Sequence, residues 1–239
     1  QLTPEESPGA NRSARFSPDG TSVFLSSDRD REHLSLFEID LTTQAWSLLS
    51  EDIPWSLEQL NVSSATSQLT FAVNADGYSQ LYQMDLSART ISPIETPRGI
   101  LGSLKIASQA PKAAFTFRSA TDIGSIFSLS LTTGERTELA RGDIGELDPA
   151  TLIEPELVRY KSFDGLEIPA FYYRPRGEGP FPTIIKIHGG PESQSRPSFN
   201  TLVQYLAAEA GYAVITPNVR GSRGYGKGFL ALDNGMRRK

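Results

Sequence analysis

Cysteine is absent from the 239-residue sequence, and histidine occurs only twice, as His33 and His188. The absence of cysteine excludes disulfides, thiolate nucleophiles, iron–sulfur clusters and thiolate zinc sites. Because the two histidines stand far apart in the chain, the sequence predicts no multi-histidine metal site, and we expect no cofactor. Any catalysis has to rely on oxygen groups, backbone dipoles and at most one histidine.

Long apolar runs and concentrated positive charge are also missing. The apolar stretch Thr183–Ile187 is interrupted by Lys186, and no segment approaches the roughly 18 uncharged apolar residues of a membrane-spanning helix. The 23 Lys and Arg face 28 Asp and Glu, which gives a formal net charge of −5, and the longest basic cluster is 237–239. Nucleic acids bind mainly to concentrated positive charge, so neither a nucleic-acid partner nor a membrane span is expected.

The first half of the chain contains an internal repeat. Leu36–Leu41 recurs as Leu81–Leu86 and again as Ile126–Leu131, each copy starting 45 positions after the previous one. Each copy alternates apolar and polar residues, which is the pattern of a half-buried strand. Another β-rich run precedes each copy, and a turn with a second short strand follows it.

Four short strands in about 45 residues is the size of a β-propeller blade. Ser17–Gly20 reads as a tight turn joining the first two strands of a blade. The repeat therefore predicts three blades, with Leu36, Leu81 and Ile126 buried at equivalent places; an antiparallel sandwich is the alternative. Since three blades do not close a ring, we expect the propeller to be completed by other residues.

From about Leu157 onward the pattern changes to strands alternating with a helix. A loop separates a predicted hairpin from a strand–helix–strand unit, and Gly211 is placed to cap the helix. The predicted elements are strands 156–163, 167–173, 183–187 and 212–216, with a helix over 198–210. Apolar strands in this order predict a mostly parallel sheet covered on both faces.

Two glycine-rich loops follow the last two strands, at the sheet edge where such folds bind ligands. In His188–Pro191, the missing Cβ atoms of Gly189 and Gly190 let backbone N–H groups approach a ligand oxygen, and Pro191 fixes the exit angle. This composition suits a backbone oxyanion hole, although it also suits a plain tight turn. The second loop, 220–226, has neither the G-x-G-x-x-G order nor a phosphate cradle, so no nucleotide site is expected.

Three segments carry a family resemblance. Residues 188–192 read His-Gly-Gly-Pro-Glu, 218–226 read Asn-Val-Arg-Gly-Ser-Arg-Gly-Tyr-Gly, and 160–170 read Tyr-Lys-Ser-Phe-Asp-Gly-Leu-Glu-Ile-Pro-Ala. With these segments nearly the whole chain resembles the prolyl oligopeptidase family of serine peptidases, in which a β-propeller precedes an α/β-hydrolase domain. The His-Gly-Gly-Pro form is similar to the acylaminoacyl-peptidase-like branch. The resemblance implies that the backbone N–H of Gly190 donates to the reaction oxyanion.

The remaining candidates are interpreted as residues that shape the two loops. His188 is expected to hydrogen-bond a neighbouring loop rather than transfer protons, and Ser222 to bond the backbone of its turn. Arg220 and Arg223 are expected to form ordering salt bridges, with a substrate carboxylate as the alternative. The loop-shaping residues are His188, Gly189, Pro191, Arg220 and Gly221.

The catalytic triad of this family is missing from the sequence. An α/β-hydrolase orders it Ser, Asp or Glu, His, with the serine in a G-x-S-x-G elbow, and the 239 residues contain no such sequence. His188 precedes any possible elbow, and His33 lies in the first predicted blade. We therefore expect the triad Ser, Asp and His to follow Lys239, and the chain to be inactive by itself. No basic-then-apolar leader follows Gln1, so we expect any targeting segment to have been removed or to lie outside these residues; compartment and oligomeric state stay open.

These observations predict three regions: partial propeller blades in 1–145, an acidic linker in 146–156, and the start of a hydrolase domain in 157–239. The predicted function is part of a serine peptidase that hydrolyses short peptides through a tetrahedral oxyanion intermediate. Two alternatives stay open, a non-catalytic propeller that binds proteins beside a degenerate hydrolase domain, and an ester hydrolase.

Overall fold

Strands dominate the structure, a computed structural model that describes residue 2 and residues 9–64, 66–190 and 192–235. Sixteen strands in these residues form four sheets of four strands each. None of the helices in the described part of the chain is long and apolar enough to cross a membrane.

Three of the sheets are each built from four consecutive antiparallel strands, so the strand order in each follows the chain. The first sheet contains β1 (Asn11–Phe16), β2 (Ser22–Ser27), β3 (Ser35–Asp40) and β4 (Trp46–Leu48). The second contains β5 (Ser56–Ser63), β6 (Gln68–Ala75), β7 (Tyr78–Asp85) and β8 (Thr90–Ile94). The third contains β9 (Ile100–Ile106), β10 (Lys112–Arg118), β11 (Ser125–Ser130) and β12 (Arg136–Arg141). The prediction of three four-stranded sheets is confirmed.

The 45-residue repeat corresponds to the third strand of each sheet. Leu36 of β3 and Leu81 of β7 are buried as predicted, because Leu36 packs toward the second sheet and Leu81 toward the third. The prediction for Ile126 of β11 is wrong, since its side chain is 43% exposed. No further antiparallel sheet packs against the third one among the described residues, so the equivalent position faces solvent.

The three sheets stand side by side along their first strands, with β1 next to β5 and β5 next to β9. The Gln59 side chain of β5 connects two sheets, because its amide donates to the Leu101 carbonyl at 3.1 Å and accepts from the Leu104 N–H at 2.8 Å. Asn61 donates to the Leu104 carbonyl at 3.1 Å. Sheets joined in series in this way have the arrangement of neighbouring blades rather than of a sandwich.

The fourth sheet, called the mixed sheet below, has the strand order β13, β14, β16, β15. Its strands are β13 (Glu156–Lys161), β14 (Glu167–Tyr173), β15 (Thr183–Ile185) and β16 (Ala213–Pro217). Only β15 and β16 are parallel, while β14 runs antiparallel to both of its neighbours. The prediction of a mostly parallel sheet is therefore wrong for these strands, because the β13–β14 hairpin adds two antiparallel pairings to a single crossover.

The crossover helix is shorter than predicted. The α1 segment (Thr201–Gln204) begins at an Asn200 cap, continues as a π-helical turn over Tyr205–Glu209 and ends at Ala210. Leu202 and Tyr205 are both more than half exposed. The buried residues of α1 and the π-helical turn are Val203, Gln204 and Ala207. A second short helix, α2, spans Gly226–Ala231.

The turn between β6 and β7 packs directly on the mixed sheet. Gly77 in this turn has a φ of +86°, and a Cβ atom built on it would lie 2.9 Å from the Phe171 ring. The Tyr78 ring meets the Phe171 ring edge-on, with centroids 5.7 Å apart. Beside them, the Arg159 guanidinium of β13 pairs with the Asp76 carboxylate. The second sheet and the mixed sheet therefore share one apolar core with an ion pair at its rim.

Candidate active site

Because β15 and β16 are parallel, the two glycine-rich loops leave the mixed sheet at the same edge. The last backbone bond of the ladder runs from the Lys186 N–H to the Ile215 carbonyl, at 2.9 Å. Beyond it the loops meet through side chains, since His188 Nε2 lies 2.8 Å from Ser222 Oγ. This contact joins the first glycine-rich loop to the second.

The Gly189–Gly190 segment presents an open stretch of backbone. Gly190 has a φ of +64°, in the left-handed region that favours glycine, and no described residue other than the chain neighbours has a heavy atom within 4 Å of a Cβ built at either position. Within residues 9–64, 66–190 and 192–235, no acceptor is found for the Gly190 N–H. Pro191, the other shaping residue predicted for this loop, lies outside the described residues.

A cavity of about 800 Å³ lies beside this loop. The first and second sheets line one side of it, and the two loops with the start of α2 line the other. Its walls carry both signs of charge, and the lining includes Arg12, Glu32, Glu58, Gly190, Glu192 and Arg196. The open Gly190 backbone therefore borders a polar space between the antiparallel sheets and the mixed sheet.

Ion pairs of two arginines hold the second loop. Arg220 pairs with the Asp164 carboxylate and donates to Ser162 Oγ at 2.9 Å, which joins the loop to the β13–β14 turn. Arg223 pairs with Glu192 at 3.2 Å across the mouth of the first loop. Gly221 has a φ of +84°, and a Cβ there would lie 2.6 Å from the Asp233 side chain.

The segment that follows Gly190 is fastened to the second sheet. Gln194 Oε1 accepts from the Asn74 side chain at 2.7 Å, and Arg196 donates to the Gly77 carbonyl at 2.8 Å. Asn218, at the end of β16, accepts from the Ser195 N–H at 2.7 Å and donates to the Ser195 carbonyl at 3.1 Å. The first loop is thus held between β16 and the antiparallel sheets.

Tyr225 closes the second loop. Its hydroxyl accepts from the Asn218 side chain at 3.1 Å, and burial raises the pKa of the Tyr225 phenol to about 12. This phenol is therefore neutral at physiological pH and is not a general base there.

Known proteins with similar sequences are peptidases. The chain is 26% identical over 188 residues to the uncharacterized peptidase YuxL of Bacillus subtilis (strain 168), covering 77% of this chain and 28% of YuxL. It is 24% identical over 225 residues to the prolyl endopeptidase of Elizabethkingia meningoseptica, covering 92% of this chain and 32% of that protein. These relatives are peptidases of the prolyl oligopeptidase family. No protein-family model matches it.

The fold agrees with this family. Puromycin hydrolase superposes with a TM-score of 0.82 at 21% identity over 95% of this chain and 36% of its own. That enzyme has also been solved in complex with PGG. The antiparallel sheets match the propeller of the prolyl oligopeptidases. The chain spans about a third of the length of these relatives.

Within this family fold, sequence reasoning missed the residues that hold the first loop against the second sheet. Gln194 and Arg196 lie in a stretch without periodicity or motif, and Glu58 and Asn74 belong to strands whose pattern indicates only packing. No local signal pairs residues more than a hundred positions apart. Asn218 was within reach of sequence reasoning, because a buried amide at the carboxyl end of a strand is placed to bond a neighbouring loop.

Proposed function

We propose that the chain forms part of a serine peptidase acting on short peptides, with Gly190 supplying a backbone donor to the oxyanion. The observation that carries the proposal is the Gly190 N–H, for which the described residues offer no acceptor, beside a cavity at the carboxyl edge of parallel strands. A backbone N–H without a partner is costly unless water or a ligand oxygen uses it. The relationship to peptidases supports the reaction class.

In the proposed reaction a serine hydroxyl oxygen attacks the substrate carbonyl carbon while its proton passes to a histidine base. The carbonyl π electrons move onto the oxygen, and the Gly190 N–H hydrogen-bonds the negative charge that develops there. When the tetrahedral intermediate collapses, the amine leaves with the proton, and water then hydrolyses the acyl-enzyme. Loss of one such donor typically costs about 10²–10³ in rate.

The proposal divides the chain into propeller blades in 1–145, a linker in 146–156 and the beginning of an α/β-hydrolase domain in 157–239. The cavity between the first two sheets and the glycine-rich loops is the proposed path of the substrate, with the sheets limiting its size. No G-x-S-x-G sequence occurs in these residues, so the proposal takes nucleophile, acid and base from outside the 239 residues.

The experiment compares the 239-residue chain with the product of the complete reading frame that encodes it. Both are treated with a fluorophosphonate probe and assayed with an aminoacyl p-nitroanilide and a p-nitrophenyl ester. We expect the complete product to be labelled and to cleave the anilide, and the 239-residue chain to do neither. Ester turnover without anilide turnover would indicate an esterase, and a complete product inert to probe and substrates would indicate a binding protein.

A further inference from the structure

We infer that His188 and Ser222 form a positioning pair that fixes the Gly190 backbone, with His188 as the hydrogen-bond donor; the role in catalysis rests on the proposed function. The pair joins the two glycine-rich loops through a contact of 2.8 Å between His188 Nε2 and Ser222 Oγ. Ser222 is completely buried. A short serine–histidine contact is also found in catalytic dyads. The positions of the Ser222 hydroxyl proton and the His188 ring protons distinguish a positioning pair from a dyad.

Ser222 has one hydroxyl proton, and the hydroxyl donates it in a second hydrogen bond, to the Val219 carbonyl. Ser222 Oγ lies 2.5 Å from the Val219 carbonyl oxygen, which can only accept. The hydroxyl therefore donates to Val219, and its oxygen accepts from His188 Nε2–H. His188 Nδ1 lies 3.3 Å from the Gly189 carbonyl oxygen. Whether Nδ1 carries a proton or not, Nε2 must carry one to meet the hydroxyl oxygen.

A histidine that donates to a serine cannot take the proton of that serine. A base for Ser222 would need a bare Nε2 facing the hydroxyl, and the Val219 carbonyl would then lose its donor. Ser222 and His188 do not line the cavity that Gly190 borders, so neither side chain faces the proposed path of the substrate. The pair therefore does not take part in proton transfer, and it affects the reaction by positioning the first loop.

The 187–190 segment of the first loop has few other anchors. Among the described residues, no backbone hydrogen bond is found for the 187–190 segment. The flanking backbone bonds are made by the Lys186 N–H before it and by the Ser193 carbonyl after it, which accepts from the Arg223 N–H. Two successive glycines make this segment the most flexible part of the loop in conformational terms. The His188 side chain is the link between this segment and the β16 loop, so it sets where the Gly190 N–H points.

The first test uses the 239-residue chain. A long-range proton–nitrogen NMR spectrum, with His33→Gln to remove the other histidine, reports which ring nitrogen of His188 carries the proton. We expect a protonated Nε2. A bare Nε2 with a proton on Nδ1 would reverse the direction of the hydrogen bond and overturn the inference. This arm does not depend on enzymatic activity.

The second test uses the product of the complete reading frame. His188→Gln keeps an amide N–H near the place of Nε2, whereas the shorter His188→Asn cannot reach Ser222. We expect His188→Asn to lower kcat by about 10²-fold with a small change in KM, as misplacement of a reacting group does, and His188→Gln to restore most of it. His33→Gln is the matched control and should leave kcat unchanged.

Ser222→Ala separates the pair from a dyad. It removes the acceptor, so kcat should fall as in His188→Asn while the fluorophosphonate probe still labels the enzyme. Loss of labelling in Ser222→Ala would make Ser222 the nucleophile, and equal losses in the Gln and Asn variants would remove the positioning role; either result overturns the inference. A wild-type enzyme without labelling or turnover would instead refute the proposed function, and the NMR result would still decide the pair.

Discussion

Arg196 and Glu58, 138 positions apart in the sequence, form an ion pair with the Arg196 Nη1 2.8 Å from the Glu58 Oε1. The same guanidinium donates to the buried Gly77 carbonyl at 2.8 Å and to Ser79 Oγ at 3.2 Å. One side chain of the loop that follows Gly190 thus contacts two strands and a turn of the second sheet. Its three partners make it the main polar link between that sheet and the loop.

Removal of Arg196 is expected to cost more stability than removal of its charge partner. Arg196→Ala leaves the buried Gly77 carbonyl without its donor, so the free energy of unfolding should fall by about 1–3 kcal/mol. Glu58→Gln removes only a partly exposed charge and should cost about 0–1 kcal/mol. Urea denaturation of the 239-residue chain measures both. Arg15→Ala is the control and should change little, because among the described residues this exposed arginine bonds just its neighbouring carbonyl.

Alanine substitutions at Gly77 and Gly20 distinguish the stability cost of backbone strain from that of side-chain crowding. Both have positive φ, +86° and +73°, but only at Gly77 would a Cβ meet another atom, the Phe171 ring at 2.9 Å. Gly20→Ala should therefore cost about 1–2 kcal/mol for the left-handed conformation alone. Gly77→Ala should cost a further 1–3 kcal/mol or so, because it overpacks the contact with the mixed sheet. Equal losses in urea denaturation would show that Phe171 makes room for the added methyl group.

His33 is expected to make stability depend on pH. Burial lowers the pKa of the His33 imidazole below its ordinary 6.5, and the ring packs 6.1 Å from the Trp55 ring. The unfolded chain therefore takes up the proton first as the pH falls, so the free energy of unfolding should decrease below pH 6.5 and be unaffected by this group above it. Unfolding curves between about pH 5 and 8 should show this slope, and His33→Gln should reduce it. An unchanged slope in the variant would assign it to other groups.

Regular periodicity made the antiparallel sheets predictable from the sequence. Leu36 and Leu81 lie at the same place in the repeat, each on the third strand of a sheet. Both are buried because another sheet packs against that strand. Ile126 has the same sequence pattern but no such neighbour among the described residues, and exposure depends on the neighbour rather than on the pattern. Local sequence therefore predicts the strands, while burial is decided by how the sheets pack.

The mixed sheet and the site were predictable only in part. The glycines at 189 and 190 and the two loops were identified because glycine-rich turns after apolar strands have a definite chemical use. The antiparallel pairing of β14 with β16 depends on a long-range contact that no local pattern encodes. The burial of Gln204 likewise depends on long-range contacts, since its side-chain amide donates to the Ala120 and Ile153 carbonyls.

The central claim is that the backbone N–H of Gly190 stabilises the oxyanion, and the most direct measurement removes that single group. In the product of the complete reading frame, Gly190 is replaced by glycolic acid, which exchanges the N–H for an ester oxygen and adds no side chain. We predict that kcat falls by about 10²–10³ with KM nearly unchanged, whereas the same exchange at Gly189 has a much smaller effect. An unchanged kcat at position 190, or equal losses at both positions, would contradict the account.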